Sequence, residues 1–149
     1  MKKIIFSAFI FLSFCAYAQT KNDGPGVGIM IGEPTGLSFR YSNFPVIGLA
    51  WSLRNDSFHL QCDYWLLNKS LKAPVDWYIG PGLKYLSHKD EGRHHDDTDN
   101  WLGIRIPVGL QYFPDNKIEI FGEIVPGIYV YPETDFFIDA ALGARFFFF

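Results

Sequence analysis

The chain has 149 residues, enough for one domain, with 48% hydrophobic residues, 18% aromatic residues and a net charge of −3. Fifteen Phe, eight Tyr and four Trp are more than the core of a soluble domain of this size readily holds, whereas a lipid-facing wall can hold them. The negative charge disfavours a nucleic-acid partner. The sequence contains no catalytic constellation and no cofactor motif, so we expect neither enzyme activity nor a cofactor.

The first 18 residues have the features of a secretory signal peptide. Lys2 and Lys3 precede an apolar stretch over residues 4–14, and residues 16–18 (AYA) form a small-x-small cleavage site. The apolar stretch is too short to cross a membrane as a helix. Because Lys2 and Lys3 leave with the signal, the net charge of the mature chain changes from −3 to −5.

The mature part, residues 19–149, is predicted to be a single outer-membrane β-barrel domain. It keeps one cysteine, Cys62, so an internal disulfide is excluded. Lipidation at Cys15 is an alternative N-terminal processing, but Phe14 is larger than the residue that lipoprotein signals usually place before the cysteine.

Beyond the signal, short runs of alternating apolar and polar residues are separated by Gly, Pro, Asn and Asp, as in antiparallel strands. Eight runs predict an all-β fold, an eight-stranded antiparallel transmembrane β-barrel, because an even number of strands closed on itself leaves no exposed sheet edge in a bilayer. About 9–11 residues per strand suffice, and the first two runs are short. The runs are residues 26–32, 36–42, 46–53, 58–67, 77–86, 101–113, 118–130 and 136–148.

One face of the later runs is apolar and the other carries charges. In the seventh run isoleucines oppose Glu119 and Glu123, and in the eighth run Phe, Ile and Leu oppose Asp139 and Arg145. A soluble ligand-binding barrel, the alternative, would have charges outside and an apolar interior. Because Arg or Lys facing lipid at mid-depth costs about 2–4 kcal/mol, we predict that the charges face the lumen.

The predicted inward charges are balanced in sign. An eight-stranded barrel is just wide enough for its side chains to fill it, so charges inside it must pair. Two interpretations remain open, a salt-bridge network that plugs the lumen, and a narrow ion path or small polar ligand site. The predicted lumen charge network consists of Arg40, Asp63, Lys84, Arg105, Glu119, Glu123, Asp139 and Arg145.

Residues 87–100 are predicted to form a long extracellular loop, and residues 68–74 a longer periplasmic turn than such barrels usually have. Imidazole and carboxylate groups in the long loop could bind a divalent metal ion. Adjacent ligands on a flexible loop rarely give closed geometry, so a solvated polar loop is the favoured interpretation. The loop residues concerned are His94, His95, Asp96, Asp97 and Asp99.

The chain ends in the sequence GARFFFF, in which Phe146 and Phe148 lie on the predicted lipid face. This ending resembles the C-terminal signal by which outer-membrane barrels are recognised for insertion, with Phe149 as an extra residue. The expected partners are therefore outer-membrane lipid and the barrel-assembly machinery, which would bind the C-terminal strand. We also expect a monomer in the bacterial outer membrane, with an extracellular partner that the sequence does not identify.

Residues 26–38, GVGIMIGEPTGLS, resemble the opening of the BAPKO-type family of small outer-membrane barrels, known best from spirochaetes. The resemblance implies an eight-stranded barrel. Some relatives are reported to bind host complement regulators, but no residue pattern for that binding can be carried over to this sequence. The resemblance continues over residues 49–52, 59–64, 78–82 and 103–110.

The leading functional hypothesis is a non-enzymatic barrel with a structural or surface-interaction role. An outer-membrane enzyme acting on lipid is an alternative, since His59 lies near Ser57 and such chemistry needs a base beside a nucleophile. A small pore is a further alternative, and the balanced lumen charge argues against a large one.

Overall fold

The structure, a computed structural model, describes residues 24–42, 44–52, 57–89 and 98–148, and the predicted signal peptide lies outside these ranges. Within them, no helix has the length and apolar character needed to cross a membrane. The strands are β1 (Pro25–Glu33), β2 (Thr35–Tyr41), β3 (Val46–Ser52), β4 (Ser57–Asp63), β5 (Leu67–Lys72), β6 (Val75–Ile79), β7 (Gly82–Lys89), β8 (Thr98–Arg105), β9 (Val108–Asp115), β10 (Ile118–Tyr131) and β11 (Asp135–Phe147).

These segments make up eight barrel strands, because three strands are each interrupted once. β4 continues into β5, β6 into β7, and β8 into β9. Pro81 and Pro107 lie at two interruptions, where proline has no N–H to donate. Their carbonyls still accept hydrogen bonds from Tyr64 (2.9 Å) and Gly80 (3.3 Å), which carries the pairing across the breaks.

The sheet closes where β11 pairs with β1, which confirms the predicted eight-stranded antiparallel barrel. Following the cross-strand partners once around the barrel from Phe147 of β11 leads back to Phe137 of the same strand. This offset of 10 residues is the shear number of the barrel. Eight strands with this stagger tilt by about 40° from the barrel axis. The end at which β1 begins and β11 finishes is called here the terminal end, and the opposite end the distal end.

Side chains alternate between a buried lumen and an exposed wall. On β10, Glu119 and Glu123 are buried while Ile120 and Ile124 are exposed. The wall therefore has the apolar character expected of a lipid-facing surface, and the lumen carries the charges. This allocation is the reverse of that in a soluble barrel with an apolar interior.

Two predicted connections are wrong. Residues 68–74 are not a turn, because β5 and β6 pair as a hairpin whose turn is Ala73–Pro74. The polar sequence of β5 lacks apolar alternation, but Asn68 faces inward and accepts a hydrogen bond from Gln111. The long loop is also shorter than predicted, since Ser87–Lys89 pair with Thr98–Asn100 in continuous register.

Candidate functional site

The interior near the terminal end is organised around Glu119, which is fully buried. Its two carboxylate oxygens each accept a hydrogen bond at 2.7 Å, one from Arg40 and one from Arg145. Arg40 also donates to the side chain of Gln111 (2.8 Å), and Arg145 donates to Ser38 Oγ (2.9 Å). One carboxylate therefore neutralises part of two guanidinium groups that have no access to solvent.

Aromatic rings complete the surroundings of these two arginines. Trp65 stacks on Tyr78 with ring centroids 3.7 Å apart, and the Arg40 guanidinium lies 4.3 Å from the Trp65 ring. The Arg145 guanidinium lies 3.7 Å from the ring of Phe121. Cation–π contacts of desolvated groups supply attraction that the single carboxylate does not.

Arg105 organises the middle of the lumen. Its Nη2 donates to Glu123 Oε1 at 3.2 Å, its Nη1 donates to Gln61, and its Nε lies 3.0 Å from Asp63 Oδ1 without hydrogen-bond geometry. The second oxygen of Glu123 accepts a hydrogen bond from the Tyr78 hydroxyl at 2.7 Å. Through Tyr78, this group contacts the Trp65–Tyr78 stack near the terminal end.

Nearer the distal end, Lys84 Nζ donates to Asp139 Oδ2 at 2.6 Å. The same ammonium group lies 4.3 Å from the centroid of the Phe137 ring and 5.7 Å from that of Tyr129. The ion pair thus has aromatic rings on the side of the distal mouth.

All eight charged residues of the predicted network are buried, and each makes an ion pair with another member. The sequence did not single out the neutral groups that join them, chiefly Tyr78, Trp65, Gln111 and Gln61. The inward phase of their strands would have located them, but it could not say which charge each one contacts. The arrangement fills the lumen with paired charge.

His59 and Ser57, the pair considered for lipid chemistry, are both buried on the lumen side of β4. Neither ring nitrogen of His59 has a hydrogen-bond partner among the described residues. A base acting on a serine hydroxyl needs that hydrogen bond, and an enzyme acting on lipid needs both groups at the lipid face. His59 and Ser57 show neither this hydrogen bond nor a position at the lipid face.

The predicted loop residues His94, His95, Asp96 and Asp97 lie outside the described residues. Asp99 is not in a loop, since it belongs to β8, where it pairs with His88 of β7 and is exposed. Across residues 24–42, 44–52, 57–89 and 98–148, no three His, Cys, Asp or Glu side chains are placed to hold a metal ion.

Replacing Tyr78 with phenylalanine tests the link between the group around Arg105 in the middle of the lumen and the group around Glu119 near the terminal end. The change removes the donor to Glu123 and leaves a buried carboxylate oxygen unpaired, so we expect the free energy of unfolding to fall by about 1–3 kcal/mol. Urea unfolding of the barrel in lipid vesicles measures this. Tyr112→Phe is the matched control, because Tyr112 is exposed on the outer wall and should change little. Equal effects of the two substitutions would contradict the assignment.

The fold is similar to the N-terminal β-barrel domain of Pseudomonas aeruginosa OprF, with a TM-score of 0.59 and 13% identity over 84% of this chain and 97% of that one. Neisserial surface protein A (NspA) is similar over 83% of this chain and 94% of its own, with a TM-score of 0.49 and 12% identity. Identities this low describe the fold alone. No curated protein matches the chain. A family model described as "Protein of unknown function (DUF3996)" matches residues 17–149, and the chain therefore belongs to that family.

Proposed function

We propose that the chain is an exported, non-enzymatic protein of the bacterial outer membrane, a closed barrel whose plugged lumen conducts no ions. The observation that carries the proposal is the pairing of eight buried lumen charges inside an apolar wall. A soluble protein would gain nothing by exposing such a wall to water, whereas a bilayer requires it.

Aromatic side chains on the wall support this placement. Trp51 and Tyr131 are each 62% exposed near the distal end, and Tyr41 and Phe148 are exposed near the terminal end. Trp and Tyr favour the two membrane–water interfaces. In the proposed orientation the terminal end faces the periplasm and the distal end faces the outside.

The surface-interaction role of the protein would then belong to the segments of the chain that lie outside the bilayer. The distal connections, including the segment between β7 and β8, would contact an extracellular partner, and β11 would be bound by the assembly machinery during insertion. The resemblance to BAPKO-type barrels favours such a surface role. These partners, and a monomeric state in the membrane, remain part of the proposal.

The plugged lumen is tested by conductance. The mature chain, residues 19–149, is inserted into planar bilayers after its barrel state has been verified by a mobility that changes on heating. We expect no stepwise current, because paired and buried charges leave no hydrated path. Sustained current steps from the inserted barrel would overturn the plug and favour the small-pore alternative.

A second measurement addresses the enzymatic alternative. Mass analysis of lipid A from cells with and without the protein is expected to show no difference, because His59 and Ser57 are not assembled as a base and nucleophile at the lipid face. A change in acyl-chain number that depends on His59 would contradict the non-enzymatic role.

A further inference from the structure

The outer wall contains a concave region, a groove of about 650 Å³ that crosses β1, β11, β10, β9 and β6. Its surface is apolar and made chiefly of outward side chains. Phe136 and Ile138, which lie towards the distal end of β11 from the groove, are each about 70% exposed. The outward side chains around the groove are Ile31, Trp77, Val108, Leu110, Ile124, Ala140 and Leu142.

The groove follows a single row of cross-strand partners. Gly122 lies within this row and has no side chain; the Leu142 side chain packs over it, and both residues line the groove. Because the strands tilt, the row runs from Lys69 near the terminal end to Ile31, two residues beyond the centre of β1. In order, the row is Lys69, Trp77, Leu110, Gly122, Leu142 and Ile31.

The row carries a cation at the end that is nearest the terminal end of the barrel. Lys69 is exposed on the outer face of β5, directly opposite Trp77 of β6, and forms no ion pair with any described residue. Trp at this position suits the interface between the acyl chains and the headgroups. An ammonium group beside it lies where the phosphate of an inner-leaflet phospholipid would be.

We propose that this row is a binding site for one phospholipid of the inner leaflet, with an acyl chain in the groove and the phosphate on Lys69. The inference rests on the proposed membrane location. The apolar groove complements the acyl chain of such a lipid, and the ammonium group of Lys69 complements its phosphate. Lipid tails and the barrel wall are equally apolar, so apolar character alone does not favour one bound acyl chain. Close packing in the groove supplies the attraction that holds an acyl chain there rather than elsewhere on the wall.

The test is native mass spectrometry of the mature chain, refolded in detergent and titrated with phosphatidylglycerol. We expect one tightly bound lipid per barrel. Lys69→Gln should weaken binding about fivefold, the effect of one basic group at a lipid surface. Ala140→Phe, which adds a ring to the groove, should weaken it about tenfold, because the ring excludes the chain from its packing contacts.

Two variants away from the groove are the matched controls. Leu49→Phe enlarges an exposed side chain on β3, and Lys117→Gln removes an exposed cation from the turn before β10. Both should bind phosphatidylglycerol as the unmodified chain does. Equal binding by Ala140→Phe, or an equal loss in the controls, would overturn the proposal.

The outcomes also separate this inference from the membrane location. A barrel that inserts into vesicles but retains no lipid would refute the lipid site and leave the location intact. A dimer that Ala140→Phe dissociates would assign the groove to a second copy and refute the lipid site. A chain that forms no barrel in vesicles would refute the proposed location itself.

Discussion

Glu119→Ala is expected to lower the free energy of unfolding by about 3–5 kcal/mol, the effect of removing one partner from a buried ion pair. Glu119 is 0% exposed and accepts from two guanidinium groups, so its loss leaves Arg40 and Arg145 without a carboxylate in a closed lumen. Gln111 and Phe121 stay in contact with the two arginines but carry no charge. The measurement is denaturant unfolding in lipid vesicles, followed by the heat-dependent change in gel mobility.

Glu133→Ala provides the control for this prediction, because Glu133 is exposed between β10 and β11. Its effect should stay within about 0.5 kcal/mol, as for surface substitutions generally. A loss below about 1 kcal/mol for Glu119→Ala would mean that water reaches the two arginines. The lumen would then be hydrated, contrary to the plug.

Ile29→Arg is expected to destabilise the inserted barrel by about 2–4 kcal/mol, as for a cation facing lipid near mid-depth. Ile29 is the central residue of β1 and is 56% exposed on the wall. In the soluble alternative this position would contact water, and an arginine there would change little. The same unfolding experiment in vesicles gives the value.

Tyr131→Arg serves as the depth control. Tyr131 is 62% exposed at the distal end of β10, where the proposed interface lies, so an arginine there should cost only about 0–1 kcal/mol. If Ile29→Arg cost no more than Tyr131→Arg, the wall would not be in hydrocarbon.

The strand phases could be predicted from the sequence because alternation needs only a period of two. Alternation assigns Glu119, Glu123, Asp139 and Arg145 to the face opposite the apolar residues of their strands, and these four side chains are buried in the lumen. The alternation does not predict β5, because Lys69 interrupts its apolar outward face between Leu67 and Leu71. The break before it, where Leu66 and Leu67 are both exposed, also shifts the phase of the alternation.

The partners across the lumen could not be predicted from the sequence. Sign balance requires that charges pair, but the pairing of Lys84 with Asp139 rather than with Asp63 depends on strand register and on a shear of 10. Similarly, the inward phase of Tyr78 predicts burial, whereas its bond to Glu123 follows from the stagger between β6 and β10. The aromatic contacts of Arg40 and Arg145 have no signal in the local sequence.

The central claim is that this chain spans an outer membrane with its charges inside, and cell fractionation tests it most directly. Cells producing the full chain are separated into soluble, inner-membrane and outer-membrane fractions, and each is run on gels with and without heating. We predict that the protein is in the outer-membrane fraction and that heating changes its mobility. Recovery as a soluble periplasmic protein, with the same mobility before and after heating, would contradict the claim.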